Sequence, residues 1–334
     1  MKIYDDYVKT IRDAISADPV NRGLHQTVVN ESRNFSKGLS YEAFNRQIPE
    51  KMLQPGLAAL AQQLGVKPDF EQKLGAHPDF AHLKGTDHIE NHYIISMFVD
   101  IKRSTNLFRR YTPQTVLIIT NTIQRAAIHT CLIFGGYIHR LQGDGLFVYF
   151  GGKSIKTADA VQNALHFSST FTYFVKEDLK NMFNEQGIET IFTRIGIDLG
   201  YEEDVVWASA GLGEISEITT CSLHTSLAPK MQASAQSNGI VVGDHIVQEV
   251  PQSAAFFKPV CKRTGSENDR YIYQIPDRNF NYTQHDFDWL SYLKRQNFIA
   301  TDLNGNLQLK SQASPQRQIG NLASIASASK PYFG

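Results

Sequence analysis

Cysteine is scarce in this chain of 334 residues: Cys131, Cys221 and Cys261 stand alone, with no CxxC pair and no nearby histidine pair. Neither a disulfide scaffold nor a structural zinc site is indicated, and the three read as small buried residues in a reducing compartment. An excess of charge of one sign is missing too, since 33 Lys plus Arg face 33 Asp plus Glu. Such a chain has no global drive toward nucleic acid or an anionic membrane, so any anion site must be local. Apolar runs are short, as in Val116-Leu117-Ile118-Ile119, against the ~20 residues of a membrane span. Met1–Ser16 carries acids where a signal peptide has its apolar core. These absences predict a cytoplasmic protein without a membrane span. Apolar residues, by contrast, make up 42% of the chain, enough to fill a core across two domains.

Residues 1–90 read as a helical region. Tyr4–Ser16 has apolar positions at helical spacing, and Pro55-Gly56 precedes a Leu/Ala-rich helix ending near Gly65. His77, His82, His88 and His92 crowd the end of this region at spacings that put no ligand set on one helical face; they read as solvated or capping residues. From Tyr93 the pattern changes. Tyr93–Asp100 is strand-like; Thr112-Pro113 starts a helix that Gly135-Gly136 stops; Tyr137–Gln142 and Leu146–Phe150 flank the hairpin turn Gly143-Asp144-Gly145. A second long helix over about Thr157–Phe183 leads to a strand at Thr190–Leu199. Strand, helix, hairpin, helix, strand is an α+β, ferredoxin-like split βαβ plan, with helices expected on one face of an antiparallel-containing sheet. Further elements follow: Val205–Ser209, a helix over Leu223–Ser234, Gly239–Val242, and a closing strand Arg270–Ile275. The resulting division is 1–90, 91–277 and a C-terminal extension, 278–334, comprising a small appendage and a Ser/Ala-rich tail that is either mobile or docked on a partner subunit.

The chemistry concentrates at Asp100 and Asp144. If the first strand lies beside the hairpin, both carboxylates emerge at one edge of the sheet, where hard oxygen ligands suit Mg²⁺ or Mn²⁺. Taken singly, Asp-Gly is also an ordinary hairpin dipeptide and Asp100 an ordinary strand end. After Asp100, Ile101-Lys102-Arg103-Ser104-Thr105-Asn106 turns the strand into a helix whose free N–H groups can cradle phosphates.

Phe98–Thr105 and Arg140–Phe150 resemble the two metal-binding motifs of class III nucleotide cyclases, and Arg194–Gly200 is similar to that family's central strand. The resemblance covers about 91–277 and implies a homodimer with two composite sites, each built from both chains. It implies two divalent ions, Mg²⁺ or Mn²⁺, on Asp100, Asp144 and the Ile101 carbonyl, with Ser104 and Thr105 beside the phosphates. Arg140 and Thr219 fall on the base-reading positions, Ser226 on the ribose-orienting Asn, Lys230 on the Arg that steadies the transition state, and Lys262 on the Lys that grips the triphosphate. Ser226, Lys230 and Arg140 depart from the usual residues; read alone, Ser226 and Lys230 also fit a helix surface and Arg140 a solvated strand position, though less well than the site roles.

These departures, with Thr225–Gln232 and the long lead-in, look like the Pycsar-type pyrimidine cyclases of bacterial anti-phage defence. That likeness implies a uridylate cyclase making cyclic UMP for a separate effector; Arg140 can donate to uracil carbonyl oxygens. A cytidylate cyclase, an adenylate or guanylate cyclase, and a catalytically weak nucleotide-binding module stay open as alternatives. Tyr137 and the aromatic stretch Phe167–Phe174 read as core, and His139 and His224 as neutral, hydrogen-bonded residues.

Overall fold

The computed structural model describes residues 1–18, 40–188, 191–303 and 305–310. The Ser/Ala-rich tail lies outside the described residues.

The centre is an eight-stranded sheet. Its first strand, β2 (Ile94–Lys102), comes just after a two-residue strand, β1 (Glu90–Asn91). A hairpin, β3 (Tyr137–Gln142) and β4 (Gly145–Phe150), pairs through β4 with one edge of β2, while β5 (Phe192–Gly200) pairs antiparallel with the other. Gly143 turns this hairpin at φ +60°, a left-handed conformation open to glycine. β2 and β3 thus run parallel with β4 between them, and β4 and β5 parallel with β2 between them, the split βαβ relationship expected from the element order, while β8 (Gly239–Gly243) pairs parallel with β5 directly.

Between β5 and β8, β6 (Val206–Leu212) and β7 (Ile215–Cys221) form a second hairpin, and β6 also pairs with β1. Sequence patterning found only the first of these two strands; β7 holds the polar run Ser216-Glu217 and Thr219-Thr220, which hides its alternation. Cys221 ends β7 and is exposed, unlike the buried Cys131 and Cys261, so one of the three cysteines departs from the expected burial.

The closing part of the chain also differs from expectation. After β9 (Phe257–Pro259) and β10 (Tyr271–Ile275), Pro276 opens a short turn, and β11 (Phe280–Phe287) pairs with β8, β9 and β10. Residues beyond 277 therefore complete the central sheet, and only the small hairpin of β12 (Ile299–Thr301) with β13 (Leu307–Leu309) stands apart as an appendage. β10 does end before Pro276, but the turn there folds the chain back, so that β11 forms a hairpin with β10 and also pairs with β8 and β9 from earlier in the chain.

Helices cover both faces, a correction to the one-sided packing expected. Ile95, Met97, Val99 and Ile101 of β2, with Ile195, Ile197 and Leu199 of β5, point to the main core. Counting helices in chain order, α1 (Asp5–Ala17), α2 (Tyr41–Gln47) and α3 (Pro55–Leu64) precede the two that carry this face, α4 (Pro113–Ile133) and α5 (Thr157–Tyr173). Their buried residues join the same core, as do those of α1 and α3, so the N-terminal region shares it. α4 is long and apolar enough to cross a membrane by length and composition alone, yet Val116, Ile119, Ile123 and Ala127 are buried in this core. α5 continues through a π-helical turn into α6 (Lys180–Glu185).

On the opposite face lies α7 (Leu223–Ser234), whose Leu227 and Met231 pack with Val241 and Tyr282. Its approach needs Gly196: a Cβ there would lie 2.1 Å from the Ala228 carbonyl oxygen and 2.3 Å from Gln232 N. Beyond it come α8 (Asp244–Gln248), α9 (Cys261–Thr264) and α10 (Trp289–Lys294).

Candidate active site

Strand alternation places Ser96 and Asp100 on the α7 face of the sheet. The β2–β4 ladder ends at Val99 opposite Leu146, while the β2–β5 ladder continues to Lys102 opposite Phe192. Asp100 and Ile101 are therefore unpaired on the hairpin side, next to the turn that carries Asp144. A Cβ on Gly145 would lie 2.5 Å from the Val99 carbonyl oxygen and 3.6 Å from the Asp100 Cα, so that turn sits directly against the end of β2.

Three donors converge on Asp100 Oδ2: Gln232 Nε2 at 3.0 Å, Lys102 Nζ at 3.1 Å and an Arg194 guanidinium nitrogen at 3.3 Å. Asp144 accepts from the Ser104 hydroxyl. Arg103 makes the turn between β2 and the 3-10 segment Ser104–Arg109 at φ +69°, and Thr105 is exposed on that segment. Two half-buried carboxylates beside the Ile101 backbone form a hard-oxygen donor set, which fits small divalent cations such as Mg²⁺ or Mn²⁺.

The other predicted positions lie on β3, β7, α7 and α9. Arg140 on β3 is bound by both nitrogens of its fork to Glu217 on β7, with Nε donating to Oε2 at 2.7 Å. Glu217 was missed by sequence reasoning; its position two residues before Thr219 on the same strand face is the signal that could have found it. Thr219 is partly buried on β7. Ser226 is exposed on α7 and its hydroxyl donates to the Ser222 carbonyl at 3.0 Å, while Lys230, one turn further, is exposed with Nζ 6.0 Å from the Tyr273 ring centre. Lys262 is exposed on α9, and within this chain nothing brings it to Asp100.

Tyr137 is core, as expected; its hydroxyl accepts from Ala76 N at 2.7 Å and donates to the Lys73 carbonyl. His77 is buried rather than solvated and accepts from Asp79 N, a capping contact. His139 is wholly buried, and desolvation, aided by the Arg140 charge, lowers its pKa to about 4, so it is neutral at pH 7. The hydrogen bond expected for it is missing: neither ring nitrogen has a partner, and Nε2 lies 3.8 Å from Glu217. His224 does make its bond, from Nδ1 to Asp198 Oδ2 at 2.9 Å.

Comparison with known proteins agrees with the resemblance. A curated Staphylococcus aureus protein named cytidylate cyclase is 38% identical over 264 residues, covering 78% of this chain and 59% of that protein. An Escherichia coli protein of the same name is 28% identical over 281 residues, covering 81% and 60%. The chain thus spans about three fifths of the length of the curated relatives it matches. Among solved structures, the adenylyl cyclase CyaB from P. aeruginosa aligns at 17% identity and a TM-score of 0.48, over 60% of this chain and 95% of that one. No family model matches. The chain is a relative of the class III nucleotide cyclases, and among them of proteins named cytidylate cyclase.

Proposed function

We propose that this protein is a pyrimidine nucleotide cyclase: the ribose 3′-oxygen of a pyrimidine nucleoside triphosphate bonds to its own α-phosphorus, the bond to the β-phosphate side breaks, and pyrophosphate leaves. The observation that carries this reading is the seating of the Asp144 turn against the end of β2 at Asp100. Divalent ions held by Asp100, Asp144 and the Ile101 carbonyl would lower the pKa of the 3′-hydroxyl and neutralise the triphosphate. Ser104 and Thr105 flank the phosphates, and Lys262, supplied by a partner subunit, holds the β and γ groups.

Lys230 serves the site of a partner subunit, where its ammonium stabilises charge gathering at phosphorus; as a point charge it lacks the planar fork of Arg. Ser226 on the same helix meets the ribose. A homodimer is favoured by the exposure of these two residues, and by Leu212 and Ile215, 84% and 87% exposed at the tip of the β6–β7 hairpin.

The Arg140–Glu217 pair sets a donor beside an acceptor, which suits either pyrimidine in a different arrangement. Cytosine would place its amino group on Glu217 and N3 on Arg140; uracil would place O4 on Arg140 and N3–H on Glu217. The names of the relatives favour CTP, whereas the reading of Arg140 as a donor to uracil carbonyls favours UTP and cyclic UMP. Either product would act as a signal for a separate effector, as anti-phage defence requires. The exposed thiol of Cys221, with no disulfide at any of the three cysteines, suits the cytoplasm.

The test is to incubate the purified protein with Mn²⁺ and equimolar ATP, GTP, CTP and UTP and to identify any cyclic monophosphate by mass. Cyclic CMP or cyclic UMP is expected. Cyclic AMP or cyclic GMP would remove the pyrimidine assignment, and nucleotide binding without pyrophosphate release would favour a regulatory module.

A further inference from the structure

At the other end of the central sheet from Asp100, where β5 and β8 finish, Asp204, His224 and His245 come together with one donor atom of each within 4.8 Å of the others. They arrive from three separate elements: the turn after β5, the first turn of α7 and the start of α8. None of them takes part in the proposed cyclase chemistry.

Hydrogen bonding fixes both rings in the form a metal needs. His245 Nδ1 lies 2.9 Å from the Leu199 carbonyl, which can only accept, so Nδ1 carries the proton and Nε2 keeps its lone pair. His224 Nδ1 donates to Asp198 Oδ2 at 2.9 Å, again leaving Nε2 for a ligand. Asp198 is fully buried and further held by the Tyr282 hydroxyl at 2.7 Å and Leu199 N at 3.0 Å. A buried carboxylate or carbonyl behind each imidazole is the outer support that orients metal-binding histidines and raises their basicity.

The contacts on the open side are those of ligands around a gap. His224 Nε2 stands 3.6 Å from Asp204 Oδ2, too far for a hydrogen bond. Two ligand atoms, each bonded to one zinc ion at 2.0–2.2 Å in a tetrahedral site, are separated by roughly 3.3–3.6 Å. The His224 and His245 ring centres lie 4.5 Å apart. We propose that Asp204, His224 and His245 bind one divalent transition-metal ion of the zinc class, with Asp198 and the Leu199 carbonyl as its outer supports and a fourth position open to water. Closure on the ion draws the third donor inward by about an ångström. Two imidazoles and one carboxylate select such an ion over Mg²⁺ or Ca²⁺, which take all-oxygen sites. The ion pins the N-terminal turn of α7 to β5 and β8.

The untagged full chain, stripped with chelator, is titrated with Zn²⁺ by calorimetry and with Co²⁺ by visible absorption, in a D100N/D144N background that disables the other carboxylate pair. One ion per chain, a cobalt ligand-field band and a raised melting temperature are expected. D204N, at an exposed position that should fold normally, and H245Q should each weaken binding at least tenfold and bleach the band. Wild-type-like binding in both variants, or no binding before substitution, overturns the site and leaves a network of ion pairs.

Discussion

Gln232 Nε2 donates a 3.0 Å hydrogen bond to Asp100 Oδ2, tying the C-terminal end of α7 to the carboxylate at the end of β2. The N-terminal end of the same helix is held by the His224–Asp198 contact. The helix bearing Ser226 and Lys230 is thus fastened at both ends to the sheet that carries Asp100.

Asp100→Asn keeps an oxygen to accept from Gln232 and Arg194 but removes the charge needed for a cation. Product formation should fall below detection, while the melting temperature stays within a few degrees of the parent protein. Asp144→Ala should behave alike in the product assay. Mass analysis of the nucleotide products together with a thermal melt checks both, and substantial turnover by the D100N/D144A double variant would remove these residues from the chemistry.

Gly196→Ala should destabilise the fold by about 1–3 kcal/mol or more, because its methyl group meets the α7 backbone instead of a movable side chain. Urea unfolding measures the loss. An unchanged midpoint would mean that α7 does not lie on β5 as closely as described.

Lys230→Ala should lower kcat by about a hundred- to a thousandfold, the scale for removing a group that stabilises transition-state charge. Mixing D100A and K230A chains distinguishes a partner's lysine from the chain's own. Random reassortment of a homodimer yields intact composite sites at about a quarter of the parent density. If the lysine acted within its own chain, the mixture would stay inactive.

Glu217→Gln replaces an acceptor-only carboxylate with an amide that can present either a donor or an acceptor. Discrimination between CTP and UTP should shrink by about tenfold, equivalent to roughly 1.4 kcal/mol. Competition between the two nucleotides, read by the ratio of cyclic products, decides. A preserved ratio would place base recognition elsewhere.

Burial lowers His77, His129 and His139 to about 4 each, from the usual value near 6.5. Between these values the unfolded chain binds protons that the folded one refuses, so stability is full above about pH 6.5 and is lost as pH falls toward 4. Asp178, raised to about 6 by burial, works the other way below that pH, as does Asp198, also raised by burial; burial lowers His166 as well, so the histidines outnumber these two carboxyls. Melting temperatures measured from pH 7.5 to 4.5 should decline steeply, and His139→Phe should flatten the decline.

Most local elements and the two carboxylates are legible in the residues alone, β7 being an exception. The hairpin at Gly143-Asp144-Gly145, the cap at Thr112-Pro113 and the bounds of α7 are set by turn chemistry and helical periodicity within a few residues of each other. What is joined across long separations emerges only in the folded chain. β11 entered the central sheet after a proline that looked like an ending, Glu217 paired with Arg140 across 77 positions, and α7 took the face opposite α4 and α5 because Gly196 leaves room for its backbone. Hydrogen-bond partners of strands, and charge pairs between them, carry no signal in local periodicity; they exist only once the sheet has brought distant residues within a few ångströms of one another.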